Sequence, residues 1–184
     1  MNILALFQPS RHLEEQFELV RPRLYRVAFS WSHDAALSDD LVQETLVKGL
    51  QNIRQLHDPE RLNSWLFSIL HNCWRDYFRQ HKDMDDIDEL EDYRYAHNVT
   101  PEHENAQSQI VTRVRNAVER LPMAQRQVVT LVDLEDFSYI EVAQILAIPI
   151  GTVMSRLCRA RQALHILLRE LAPSQLTVPL RRVK

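Results

Sequence analysis

The chain has 184 residues, 22 basic and 25 acidic side chains, a formal net charge of −3 and 45% hydrophobic content, enough to fill the core of one ordinary domain or of two small ones. Only two glycines argue against a sheet-rich fold with many tight turns. No run of 18 apolar residues offers a membrane span, and MNILALFQPS lacks the basic start and small-residue cleavage site of a secretory leader, so an all-α, cytoplasmic protein without membrane insertion is expected.

Residues 10–81 are predicted to be all-helical. Leu13, Phe17, Val20, Leu24, Val27 and Trp31 recur three and four apart, the period of a helix with one buried face, and Pro22 must kink that helix or start a second one. After a turn around Ser32 to Ser38, Val42, Leu46, Leu50 and Ile53 mark another amphipathic helix. Its polar side is Asp40, Gln43, Glu44 and Lys48, which taken alone read as a solvated face. From Pro59 to Lys82 the buried stripe is Leu62, Leu66, Ile69, Cys73 and Tyr77. Trp74 and Phe78 fall beside it among His71, Arg75, Arg79 and Lys82; rings mixed with cations suit single-stranded nucleic acid, although aromatics at helical spacing more often fill a core. Cys73 and Cys158 have no C-x-x-C partner and read as reduced packing thiols.

Charge then divides the chain. Residues 82–105 hold 2 basic and 9 acidic groups, whereas residues 106–184 hold 11 basic and 6 acidic. The run DMDDIDELEDYR has too few apolar groups to fold alone and is read as a flexible acidic linker between two modules. His97, Glu102, His103 and Glu104 could be imagined as the site of a metal-dependent hydrolase. They lack an ordered H-x-x-x-H pair on a helix, and no metal, cofactor or catalytic residue is assigned.

Beyond the linker, Thr100-Pro101 reads as a helix start, followed by the stripe Ile110, Val114, Ala117 and Leu121. Ser138 and Glu141 form an S-x-x-E capping box ahead of Tyr139, Val142, Ala143 and Leu146. Pro149 closes that helix, and Gly151 is expected to relax the backbone before Thr152 opens the next. Val153, Leu157, Ala160, Leu164 and Leu168 then form an apolar stripe opposite Thr152, Ser155, Arg156 and Arg159. Two short helices with a tight turn and a basic, hydroxyl-bearing second helix describe a helix-turn-helix that can enter a major groove.

SDDLVQETLVKGL, WLFSILHNCWRDYFRQ and LPMAQRQVVTLVDLEDFSYIEVAQILAIPIGTVMSRLCRARQALHILL, in this order, resemble the extracytoplasmic-function group of bacterial sigma factors over about residues 10 to 170. The resemblance implies two small helical domains: sigma region 2 in residues 10–81 and sigma region 4 in residues 106–172, with the linker at 82–105 and a tail at 173–184. It implies a promoter-specificity subunit, not an enzyme, whose partners are core RNA polymerase (the beta-prime clamp and beta flap), promoter DNA and an anti-sigma factor. By the same resemblance Asp40, Gln43, Glu44 and Lys48 dock the clamp. Asn72 lies beside the pocket for a flipped minus-ten base, Trp65, Trp74, Arg75 and Phe78 are its neighbours, and Thr152, Ser155, Arg156 and Arg159 read the minus-thirty-five duplex. Two departures stand out: Ala147 replaces a usual glycine in the turn, and His33-Asp34 replaces a common Gly-Asp. The alternative reading is a free-standing helix-turn-helix regulator.

Overall fold

In a computed structural model of the chain, the described residues are 11–81 and 106–170. The N-terminal decapeptide, the acidic segment with its two histidines, Thr100-Pro101 and the tail lie outside them. The described residues form seven α-helices and no strand: α1 (Arg11–Ser32), α2 (Ala35–Asn52), α3 (Leu62–His81), α4 (Ala106–Glu119), α5 (Met123–Val129), α6 (Tyr139–Leu146) and α7 (Ile150–Glu170). No single helix among them is long and apolar enough to cross a membrane.

The first helix runs through Pro22 as one element, because Val20, Leu24, Val27, Ala28 and Trp31 keep a single buried face from one side of the proline to the other. It ends at His33, whose φ of 53° is left-handed. Asp34 then accepts a hydrogen bond from the Leu37 amide at 3.1 Å and starts α2. The turn is therefore shorter than expected, and the Ser32 and Ser38 hydroxyls close on each other at 2.8 Å. Leu41, Val42, Thr45 and Gly49 form the buried face of α2, with Leu46 and Ile53 half-buried, so Leu50 is exposed instead of central. Gly49 sets how closely α2 approaches its neighbours: a Cβ there would lie 2.7 Å from Leu66 Cδ2 and 3.1 Å from Phe17 Cε1.

Leu62, Leu66 and Cys73 of α3 are buried as expected, but so are Phe67, Leu70, His71 and Trp74. This helix is covered on two sides, by α1 and α2 and also by α6. In the second half Ala117, Val118 and Leu121 are buried, whereas Val114 is exposed, contrary to its expected place in the stripe. Helix α5 widens into a π-helical turn, Thr130–Leu134.

The two halves share one continuous core. Trp31 Nε1 donates to Thr130 Oγ1 at 2.9 Å, and Phe67 meets Phe137 edge-on with centroids 4.9 Å apart. The Glu135 side chain is 1% exposed. Its Oε2 accepts from Arg23 Nε at 2.7 Å and its Oε1 from Arg26 Nη2 at 3.0 Å, while Arg23 Nη2 reaches its backbone oxygen at 2.9 Å. Arg23 also lies over the Phe67 and Phe137 rings. Arg126 is buried and donates to three carbonyls, those of Glu119, Leu121 and, at 3.2 Å, Trp31. Burial pulls its pKa down to about 10, still a cation at neutral pH.

Candidate functional site

Helices α6 and α7 cross at 104°. Ser138 Oγ accepts from the Glu141 amide at 3.3 Å, and the Glu141 carboxylate accepts from the Ser138 amide at 2.8 Å, so both strands of the capping box are present. At the other end Ala147 adopts φ 53°, ψ 44°; the Ile148 amide donates to Ala143 O at 3.0 Å and the Ala147 amide to Gln144 O at 3.3 Å. That pattern is a Schellman cap, which ordinarily takes glycine at its left-handed position. The bend thus falls on Ala147, not on Gly151, whose φ is not positive and which lies inside α7. An added Cβ at Gly151 would meet nothing within 4 Å, so the fold itself does not demand glycine there.

Val153, Leu157 and Ala160 anchor α7 in the core, and Leu164 and Leu168 are half-buried farther along. Thr152, Ser155, Arg156 and Arg159 share the opposite face at three- and four-residue spacing, with Ser155 and Arg159 exposed and Thr152 and Arg156 half-buried. Ser155 Oγ donates to Thr152 O at 3.1 Å, and Arg159 Nε folds back to Ser155 O at 3.3 Å. Among the described residues the Arg156 guanidinium makes no such bond and is open to an outside acceptor. Arg161 is held differently, by two bonds of 3.1 and 2.6 Å to the Asp133 carboxylate, which brace α7 against the π-helical turn and keep the Arg161 charge fixed. Cys158 is exposed on this helix, so its expected role as a packing thiol is wrong; it sits four residues after exposed Met154, away from the buried stripe.

On α3, Trp65 is half-buried and Asn72, two turns later on the same face, is exposed together with Arg75. Phe78 is half-buried at the edge of that surface. Trp74 is not on it. It is 5% exposed and packs edge-on against Trp31 with centroids 5.9 Å apart, so the expectation that it faces DNA is corrected: in this conformation it is core. His71 is likewise inside. Burial first, then the nearby Arg75 charge, lowers its pKa to about 4, so it adds no cation to the surface at neutral pH.

Helix α2 turns Asp40, Gln43 and Glu44 to solvent, with Lys48 partly covered and paired to Glu44 at 2.8 Å. Between them stands Val47, 52% exposed, with Leu50 a turn farther on. Val47 is absent from the predicted polar face, yet an apolar residue off the Val42/Leu46 stripe is a signal visible in the sequence. Among the described residues no three His, Cys, Asp or Glu side chains are placed to share a metal ion.

These features have counterparts. The family model described as sigma-70 region 2 matches residues 16–83, and the one described as sigma-70, region 4 matches residues 112–164. The ECF RNA polymerase sigma factor EcfG of Rhodopseudomonas palustris is 36% identical over 148 residues, which span 80% of this chain and 80% of that one. The ECF RNA polymerase sigma factor SigM of Bacillus subtilis is 30% identical over 157 residues, covering 84% and 94%. Among solved structures, the sigma factor RpoE of Bartonella quintana, in complex with the anti-sigma factor NepR, superposes with a TM-score of 0.72 at 29% identity, covering 87% of this chain and 98% of the other.

Proposed function

Because the chain belongs to the extracytoplasmic-function RNA polymerase sigma factors of the sigma-70 family, we propose that its two exposed helical faces divide the work of promoter-specific transcription initiation between them. Residues 10–81 act as region 2 and residues 106–172 as region 4. The face of α2 docks core RNA polymerase at the clamp through Asp40, Gln43, Glu44 and Lys48, with Val47 and Leu50 as the apolar centre that such interfaces need. On α3, Trp65, Asn72, Arg75 and Phe78 hold the minus-ten strand. On α7, Thr152, Ser155, Arg156 and Arg159 read the minus-thirty-five duplex, where a guanidinium without an internal partner suits bidentate contact with guanine. Region 4 also meets the beta flap, and an anti-sigma factor holds the protein inactive, as the complex of the Bartonella relative suggests. The protein performs no chemistry of its own; the polymerase does.

The observation that carries this reading is the α2 face. A free-standing DNA-binding regulator has no use for an uncovered valine ringed by charges on a helix remote in sequence from its helix-turn-helix. A pull-down with core polymerase tests it. Gln43→Ala combined with Glu44→Ala should weaken capture while circular dichroism stays unchanged, since neither side chain enters the core. Full capture by the folded variant would refute the docking assignment.

A further inference from the structure

Helix α7 is seated in the core by Val153, Leu157 and Ala160. Spaced four and three residues apart, they make one line along the axis, and apolar contact has no direction, so this seat fixes the depth of α7 better than its roll. A directional bond beside that line fixes the roll. Arg161 supplies it. It follows Leu157 by four residues, at the rim of the apolar line, and stands about two and a half turns after Thr152, on the side turned away from the proposed DNA face.

Arg161 Nε donates to Asp133 Oδ2 at 3.1 Å and its Nη2 to Oδ1 at 2.6 Å, two parallel bonds that set an angle as well as a distance. The Asp133 carboxylate, and after it Tyr139 at the start of α6, hold the Arg161 pKa above its ordinary range. Asp133 itself stands on a firm turn. Thr130 and Leu131 are buried there, the Glu135 amide donates to Thr130 O at 3.2 Å, and the Phe137 amide donates to Leu131 O at 3.1 Å. The Arg161 and Asp133 side chains are 53% and 33% exposed, so the pair adds little to stability and what it contributes is geometry.

A helix with its side chains is about 10–12 Å across, so a group at its surface lies about 6 Å from the axis, and a roll of about 15° carries it about 1.5 Å. The window for a good N–H···O bond, about 2.7–3.2 Å, is narrower than that. We infer that Asp133, acting through Arg161, is a specificity-determining positioning residue: it holds the roll of α7 at which Arg156 meets one base pair, although neither member of the pair touches DNA. The inference rests on the reading of α7 as the DNA-reading helix, and adds to that helix a control on base choice from outside the helix-turn-helix.

The test is binding of parent and variant holoenzymes to a duplex that the parent holoenzyme selects from random sequences, and to the single-base variants of that duplex. Asp133→Ala makes the protein one charge more positive and Arg161→Ala one charge less so. A purely electrostatic role therefore raises affinity for every duplex in the first and lowers it in the second. A positioning role lowers discrimination in both: the affinity ratio at the base pair that Arg156 reads should fall about fivefold or more. Arg161→Lys, which keeps the charge but not the two-pronged bond, should lose discrimination too, and Asp133→Arg combined with Arg161→Asp should regain it. The melting temperature should move by at most about 4 °C. A nitroxide on the native, exposed Cys158, with Cys73 protected by burial, should show a mobile component in the single variants and not in the reversed pair. Unchanged ratios in folded Asp133→Ala and Arg161→Lys, or opposite shifts shared by all duplexes, overturn the inference. A parent holoenzyme that selects no sequence sinks the DNA reading of α7 instead, while the nitroxide spectra still decide whether the pair holds the helix.

Discussion

Replacing Ala147 by glycine should stabilise the protein. The residue sits at φ 53°, ψ 44°, where an L-residue with a Cβ loses roughly 1–2 kcal/mol to the clash with the following carbonyl. Glycine removes that strain but enlarges the freedom of the unfolded chain, which takes back about 0.4–1 kcal/mol. Ala147 is exposed, so losing its methyl group costs little packing. The net gain is about 0.5–1 kcal/mol, and at about 2–4 °C per kcal/mol for a protein of this size the melting temperature should rise by about 1–4 °C. Ala147→Val should move the other way by a larger amount, because a β-branched side chain is excluded from this region more strictly. Thermal melts followed by circular dichroism are sufficient. A lower melting temperature for the glycine variant, or an unchanged one for the valine variant, would refute the assignment of strain to this cap.

Gly49→Ala should cost about 1–3 kcal/mol in urea denaturation, since the new methyl group would overlap Leu66 and crowd Phe17; an unchanged midpoint would show that α2 can back away freely. His71, with a folded pKa of about 4 against an ordinary 6.5, takes up a proton more readily when unfolded. Its contribution is therefore fully present above pH 6.5 and is lost as pH falls towards 4, up to about 3 kcal/mol, so stability profiles against pH should be flatter for His71→Gln than for the parent. Arg156→Ala should relax preference at one base pair by about 1–3 kcal/mol, whereas Arg159→Ala should weaken all sequences alike and lower the salt dependence; holoenzyme binding to single-base variants at several salt concentrations distinguishes them.

Local features were readable from sequence because their causes are local. The Ser138/Glu141 box and the faces of α6 and α7 each depend on residues within a turn or two, and each is found, whereas Ala147 and His33 stand out only through the family resemblance and local turn chemistry points to Gly151 instead. What escaped notice depends on contacts across about a hundred residues. Nothing in the spacing of α3 says that Phe67 and Trp74 are covered as well as its expected stripe, because periodicity reports that a face is apolar and not which neighbour covers it. Glu135 reads as one more acid in a polar stretch until Arg23 and Arg26 are seen around it. Cys158 reads as a packing thiol because it lies in a helical pattern without a C-x-x-C partner, and the helix turns it outward. Pro22 shows the reverse: a strong local breaker is overruled by a continuous buried face.

Arg126 bears on how the helices are spaced. Its Nη1 faces the carbonyl end of α1 at Trp31, while its Nη2 faces the carbonyls at the end of α4, at Glu119 and Leu121. Both helices present the negative pole of their dipoles there, so a single cation answers two of them. A guanidinium spreads its donors across a rigid plane, whereas an ammonium gathers them at one point and could not reach both ends together. The interval between α1 and α4 is thus gauged by the breadth of one planar group, and lysine, though equally charged, would be the wrong length of ruler.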